Sequence, residues 1–239
     1  MVRMLSVERL VKRRGSREIL TDVTFRAAPG RVTGLLGPNG AGKSSTLRIL
    51  LGLDRADAGT ALVDGQPYRR LRQPLRTVGS MLDGSGAHRS RTARNHLTWM
   101  ARSNGIPTRR VAEVLDQVGL GAVGGTRVGR FSYGMCQRLG LAAALLGEPR
   151  ALVLDEPVNG LDPEGIRWIR VLLRGHADAG GTVLLSSHLI SEVDQIADDL
   201  VVIAHGRVVA AGPIREVTAG YPTLEDAFFA LTQPVAGGR

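Results

Sequence analysis

Eight residues, Gly37-Pro38-Asn39-Gly40-Ala41-Gly42-Lys43-Ser44, spell G-x-x-x-x-G-K-S. An apolar run, Val32–Leu36, leads into them, and Thr46-Leu47-Arg48-Ile49-Leu50 leads out. Strand, glycine loop and helix in that order constrain the fold, because a loop of this kind needs a rigid strand end on one side and a helix N-terminus on the other. Glycine is required where backbone must wrap a phosphate more closely than a Cβ allows. The loop N–H groups then face phosphate oxygens, and the helix adds its positive dipole end. Lys43 supplies a point charge for the β- and γ-phosphates. Ser44 supplies a hydroxyl for Mg²⁺, a hard cation that prefers oxygen, and Ser45 beside it is grouped with the nucleotide contacts. Lysine occurs only at Lys12 and Lys43, which argues against a chance match in a Gly-rich chain. The pattern predicts a nucleoside triphosphate site.

The chain has 239 residues, 43% of them apolar and 22% charged, enough for a full core in one large domain or a core with a subdomain. No apolar run reaches the roughly 18 residues of a membrane span; the nearest is Leu139–Gly147. Arg3, Glu8, Arg9 and Lys12 interrupt the apolar core that a signal peptide needs. The single cysteine, Cys136, excludes an internal disulfide framework and suits the cytoplasm. A net charge of +9 opens a nucleic-acid reading. The basic residues are mostly arginines spread along the chain, with short clusters at Arg69–Arg76 and Arg89–Arg94, a distribution that favours a solvated surface. An anionic membrane face would attract the same surface.

Residues 4–11 and 19–27 read as two strands of a hairpin, Val32–Leu36 as a buried strand, and Ala61-Leu62-Val63 with Asp64-Gly65 as a strand and turn. From about Thr92 to Gly147 the period becomes helical, with Val111, Val114, Leu115 and Val118 on one face and a Gly-rich loop over Gly119–Gly129. Strands at Ala151–Leu154, Thr182–Ser186 and Leu200–Ala204 then alternate with helices at Pro163–Arg174 and Leu189–Ala197, which implies βαβ units and a parallel sheet. His205-Gly206 reads as a hairpin turn, and Ala236–Arg239 as a frayed tail.

Three further segments carry candidate chemistry. Ala151–Leu154 ends in Asp155 and Glu156. Strand ends of a parallel sheet gather at a ligand-binding edge, so Asp155 would hold Mg²⁺ and Glu156 would orient or deprotonate an attacking water. The other reading is a strand ending in a polar turn, and the upstream glycine loop weighs against it. In Phe131–Arg138, Ser132 is a good N-cap whose helix end could receive phosphate. The residues themselves favour a plain capped helix that packs Leu139, Ala142, Ala143 and Leu146. His188, after the apolar strand Leu184–Ser186, fits either a structural histidine or a γ-phosphate partner.

These pieces, in this order, resemble the nucleotide-binding subunit of ABC transporters over nearly the whole chain. Gly37–Ser44 is similar to Walker A, Ala151–Glu156 to Walker B with its catalytic glutamate, Asn159-Gly160-Leu161-Asp162 to the D-loop and Ser186-Ser187-His188 to the switch histidine. Phe131–Arg138 resembles the signature, usually L-S-G-G-Q, and Thr223–Phe229 the end of bacterial drug- and antibiotic-exporter ATPases. The resemblance implies an α/β fold: a RecA-like P-loop NTPase core with a mainly parallel sheet, an N-terminal antiparallel β part and an inserted helical subdomain. It implies one ATP-binding domain, with core about 1–85 and 150–220, helical subdomain about 86–149 and tail 221–239. Lys43, Glu156 and His188 would be catalytic. Nucleotide would contact Gly37–Ser45, Arg14, Ser132, Gly134 and Asp162, and Ser44, Asp155 and Asp83 would hold Mg²⁺.

The sequence departs from the family pattern at three places. Tyr133 and Met135 stand where the signature has Gly and Gln, while Ser132 and Gly134 are kept. Asp83 occupies the Q-loop position of a glutamine, which adds negative charge beside a polyanion. Arg14 replaces the usual adenine-stacking aromatic, and a guanidinium plane can also stack. The resemblance implies a head-to-tail pair of identical subunits, with ATP and Mg²⁺ between each phosphate loop and the partner's signature. A separate membrane permease would feel closure and opening, and the subunit would sit peripherally on the cytoplasmic face of the membrane. The rival expectation is an ABC-type ATPase acting on DNA or ribosomes. It fits less well, because Ser44 and Ser132 are too close in sequence to enclose a long coiled coil and the chain holds one ATPase segment, so no nucleic-acid partner is expected.

Overall fold

The computed structural model describes residues 5–82 and 84–233. Its elements in chain order are β1 (Leu5–Arg14), β2 (Arg17–Ala27), β3 (Arg31–Leu36), α1 (Lys43–Leu50), β4 (Ala58–Val63), α2 (Pro74–Thr77), β5 (Val78–Met81), α3 (Ala93–Ser103), α4 (Arg109–Gln117), α5 (Tyr133–Leu145), β6 (Ala151–Asp155), α6 (Pro163–Asp178), β7 (Thr182–Ser187), α7 (Ile190–Asp194), β8 (Asp199–Ala204), β9 (Arg207–Pro213), α8 (Ile214–Val217) and α9 (Leu224–Thr232). They fall into two compact units, one formed by residues up to Arg70 together with those from His176 on, the other by Leu71–Gly175. The expected tail at Ala236–Arg239 and Asp83 lie outside the described residues.

In the first unit β1 pairs antiparallel with β2 and with β4. Leu5 and Val7 face inward opposite Ala27 and Phe25, as alternation demands. The alternation then slips: Val7 and Leu10 are both buried, and Arg9 between them takes a positive φ of 49° at a register shift. This bulge returns the next apolar residue to the core, and the strand runs past the expected 4–11 because Lys12, Arg13 and Arg14 pair with Leu20, Glu18 and Arg17. The same unit holds β7, β3 and β8 as parallel neighbours, with β9 antiparallel on β8. The β8–β9 turn is His205-Gly206, as expected, with φ of 49° and 75°. Two positive φ values suit the twist of a two-residue hairpin. Gly34 in β3 is a close-approach position: a Cβ there would run into Cγ1 of Val193 on α7.

In the second unit β5 runs parallel to β6, from Val78 opposite Ala151 to Met81 opposite Leu154. No strand is expected at β5 from local pattern alone. Its reason is tertiary: Gly79 lets the α5 backbone approach so closely that a Cβ would strike the Ala144 carbonyl oxygen. Thr92 starts α3 by accepting the Asn95 N–H at 3.1 Å. Helix α4 buries Val111, Val114 and Leu115, the predicted stripe, and each such side chain contributes about 1.5–3 kcal/mol of transfer free energy. The expected loop over Gly119–Gly129 contains two short 3-10 turns, Gly121–Val123 and Val128–Arg130. Among the described residues no helix is long and apolar enough to cross a membrane.

Candidate functional site

The glycine loop leaves the C-terminal end of β3 and enters α1 at Lys43. Gly40 and Gly42 have φ of 79° and 110°, values that L side chains rarely adopt. Gly37 is needed for a different reason: a Cβ there would meet the Ile203 carbonyl oxygen of β8. At Gly42 a Cβ would also strike Cδ2 of Leu20. Both strand neighbours therefore press on the loop from behind. Pro38, Asn39, Gly40 and Ser44 are exposed in front, Ser45 is half-buried, and Ala41 is buried.

Lys43 is 7% exposed, and its Nζ donates to the Gly37 carbonyl at 2.6 Å. A buried ammonium folded onto loop carbonyls places positive charge at the centre of the cradle. Thr46 anchors the first helical turn, its N–H and hydroxyl both donating to the Gly42 carbonyl at 2.9 Å. Parallel register sets Leu36 beside Ser187 of β7, so His188 leaves its strand at the level where the glycine loop leaves β3. His188 is exposed, and the Leu189 N–H is held by the Ser187 hydroxyl at 2.9 Å. Arg14 ends β1 at the exposed hairpin tip, opposite Arg17.

In the second unit β6 ends at Asp155, half-buried, and Glu156 turns the chain with φ of 49°. The Asn159 N–H closes that turn on the Glu156 carbonyl at 3.2 Å. Asp162 caps α6, its Oδ1 accepting the Gly165 N–H at 2.8 Å. Ser132 caps α5, its Oγ accepting the Met135 N–H at 3.2 Å. Gly134 sits over the Asn159–Asp162 segment, its Cβ position 3.4 Å from the Gly160 carbonyl oxygen. Ser132, Gly134, Gly160 and Asp162 thus belong to one neighbourhood. Sequence reasoning missed the residue that joins them, Gln137, which is 3% exposed and donates to the Tyr133 hydroxyl and the Asn159 carbonyl. Its signal was the four-residue spacing from Tyr133, which stacks the two on one helix face. Burial, partly opposed by the charge of Arg89, pushes the Cys136 thiol up, which disfavours its thiolate.

A family profile described as ABC transporter matches residues 20–159. The chain belongs to the ABC transporter family. The lantibiotic transport ATP-binding protein SrtF of Streptococcus pyogenes is 36% identical over 206 residues, 86% of this chain and 89% of that one. The bacitracin transport ATP-binding protein BcrA of Bacillus licheniformis is 39% identical over 207 residues, 85% of this chain and 68% of that one. A solved structure of an ATP-binding subunit of an ABC transporter superposes with a TM-score of 0.87 at 26% identity, covering 96% of this chain and all of that one. The α/β P-loop architecture is that of the ABC ATPase domain. This chain is accordingly an ATP-binding, ATP-hydrolysing subunit of the ABC transporter family, and the nucleic-acid rival is not favoured.

Proposed function

We propose that this ABC subunit hydrolyses Mg²⁺-ATP between two copies of itself, arranged head to tail, and so drives an exporter of drug, antibiotic or lipid-like molecules. The cargo class is supported by the similarity to the lantibiotic and bacitracin transport proteins, and the export direction by the similarity to a Nod factor export ATP-binding protein. The whole chain acts as one ATP-binding domain, with core about 1–85 and 150–220 and a helical subdomain about 86–149. It docks peripherally on a permease at the cytoplasmic face of the membrane.

The observation that carries the reading is the buried Lys43 ammonium inside a loop in which Gly37 and Gly42 leave no room for a Cβ. Loop N–H groups of Gly37–Ser45 bind the phosphates, and Lys43 holds the β- and γ-oxygens. The exposed Ser44 hydroxyl and the Asp155 carboxylate at a strand end are hard oxygen donors that fit Mg²⁺, with Asp83 as a further oxygen ligand. When bound, the cation neutralises charge between the β- and γ-phosphates. Glu156 orients the attacking water and takes its proton. His188 hydrogen-bonds the γ-phosphate, Arg14 stacks on the base, and Ser132, Gly134 and Asp162 face the nucleotide held by the second copy. Loss of the γ-phosphate removes what joins the copies, and their parting resets the permease.

The test is equilibrium ATP binding by Lys43→Ala. Affinity falls by about 100-fold or more, the scale of losing a charge-assisted contact in a dry site; unchanged affinity refutes the reading. Asp83→Gln addresses the third ligand, and a Mg²⁺ dependence of hydrolysis that does not move removes Asp83 from the set.

A further inference from the structure

The signature of this chain departs from its family pattern at Tyr133, and the structure shows what the ring does. Tyr133 is the first residue of α5 and is 62% exposed, so burying its apolar surface contributes little. The ring instead sets its Cδ1–Cε1 edge against Gly160: a Cβ on Gly160 would sit inside the van der Waals shell of both atoms. Gly160 has φ of 70°, which suits glycine twice over, by conformation and by contact. One turn later the nearly fully buried Gln137 donates from Nε2 to the Tyr133 hydroxyl at 3.1 Å and to the Asn159 carbonyl at 3.3 Å. The ring and the amide thus take hold of consecutive residues, Gly160 and Asn159, from the same helix face.

What they hold is the turn that carries Glu156. The Asn159 N–H donates to the Glu156 carbonyl, and the Leu161 N–H to the Val158 carbonyl, both at 3.2 Å. Glu156 itself has φ of 49°, a left-handed backbone that is strained for a non-glycine residue and persists only where the surroundings determine it. Tyr133 and Gln137 supply that determination through Asn159 and Gly160. We propose that Tyr133 and Gln137 are positioning residues for Glu156, clamping the Glu156–Leu161 turn to the first two turns of α5. The inference rests on Glu156 as the water-orienting carboxylate. It adds that the start of the signature helix sets the aim of the carboxylate of its own subunit.

The test uses the full chain with Tyr133→Ala, Tyr133→Phe and Gln137→Met, read by two measurements. The first is amide hydrogen exchange of the peptide spanning Glu156–Asp162 without nucleotide. The second is steady-state ATP hydrolysis resolved into kcat and KM. In Tyr133→Ala the exchange at Asn159–Leu161 speeds up, and kcat falls about tenfold with KM nearly unmoved, the pattern of a misaimed group rather than lost binding. Tyr133→Phe keeps the ring on Gly160 and restores most of kcat, while Gln137→Met repeats the exchange effect without touching the ring. Wild-type exchange and wild-type kcat in Tyr133→Ala overturn the proposal. So does a lowered Tm with kcat per folded molecule intact, which would mark a plain packing role. Glu156→Gln separates the two claims: full turnover in that variant defeats the parent reading of Glu156, whereas the exchange rates in Tyr133→Ala decide the clamp by themselves.

Discussion

The Gly37–Ser44 loop and the 131–162 region solve the same problem with different materials. The first is made of backbone. Gly37 and Gly42 let neighbouring strands press within contact of the chain, and the Lys43 side chain is folded into it. The second is made of side chains. Ser132 caps α5, Asp162 caps α6, and Tyr133 with Gln137 grips the segment between. A backbone cradle tolerates no added atoms, whereas a side-chain scaffold tolerates no removed ones. Addition should therefore damage the loop, and truncation should damage the 131–162 region.

The sharpest challenge to that contrast is Glu156→Gln, which removes a charge while keeping shape. It should bind ATP, associate more stably in its presence, and turn over about 10²–10⁴-fold more slowly, the range of a lost general base; single-turnover hydrolysis checks it. Next comes addition to the cradle. Gly42→Ala puts a Cβ at φ of 110° and against Leu20, so strain of about 1–3 kcal/mol should weaken ATP binding by about tenfold or more, measurable by calorimetry. Gly125, where a Cβ has open space, gives the control. Ser132→Ala, a truncation, removes the cap of α5 and should cost about 1 kcal/mol of local stability, with Ser132→Asn recovering it, as read by exchange at Met135.

The smallest effect concerns His96 on α3, which belongs to neither region. It is 5% exposed, and neither ring nitrogen has a hydrogen-bond partner among the described residues. Burial, with the charge of Arg91 adding to it, holds its pKa below the usual 6.5. The unfolded chain therefore takes up the proton first as the pH falls. Stability from this group is complete above pH 6.5 and is lost as the pH drops from there toward the lowered folded value. Denaturant midpoints between pH 8 and 5 should fall on the acid side, and His96→Leu should flatten that slope.

How much could be read from the sequence follows the same division. The loop announces itself, because Gly37, Gly40, Gly42 and Lys43 are local requirements of wrapping a phosphate. The hairpin at His205-Gly206 and the α4 stripe were legible for the same reason: periodicity and turn chemistry act over a few residues. Strand β5 was not, since Gly79 earns its place only against Ala144, 65 residues away in sequence. Tyr133 and Gln137 were visible as residues but not as a device, because Gly160, which gives the ring its seat, lies on a different segment. The bulge at Arg9 escaped for a third reason: two buried residues three apart in a strand break the alternation that identifies one.

One notch in β3 has a consequence of its own. With only hydrogen at Gly34, Val193 drops its methyl groups directly onto the strand that feeds the cradle. Helix α7 begins two residues after His188, so the histidine's connecting bend is keyed to β3 like a bolt in a socket. Swinging that bend sideways would first require Val193 to lift clear. A bulkier residue at position 34 would thus unseat the histidine without touching the nucleotide cradle.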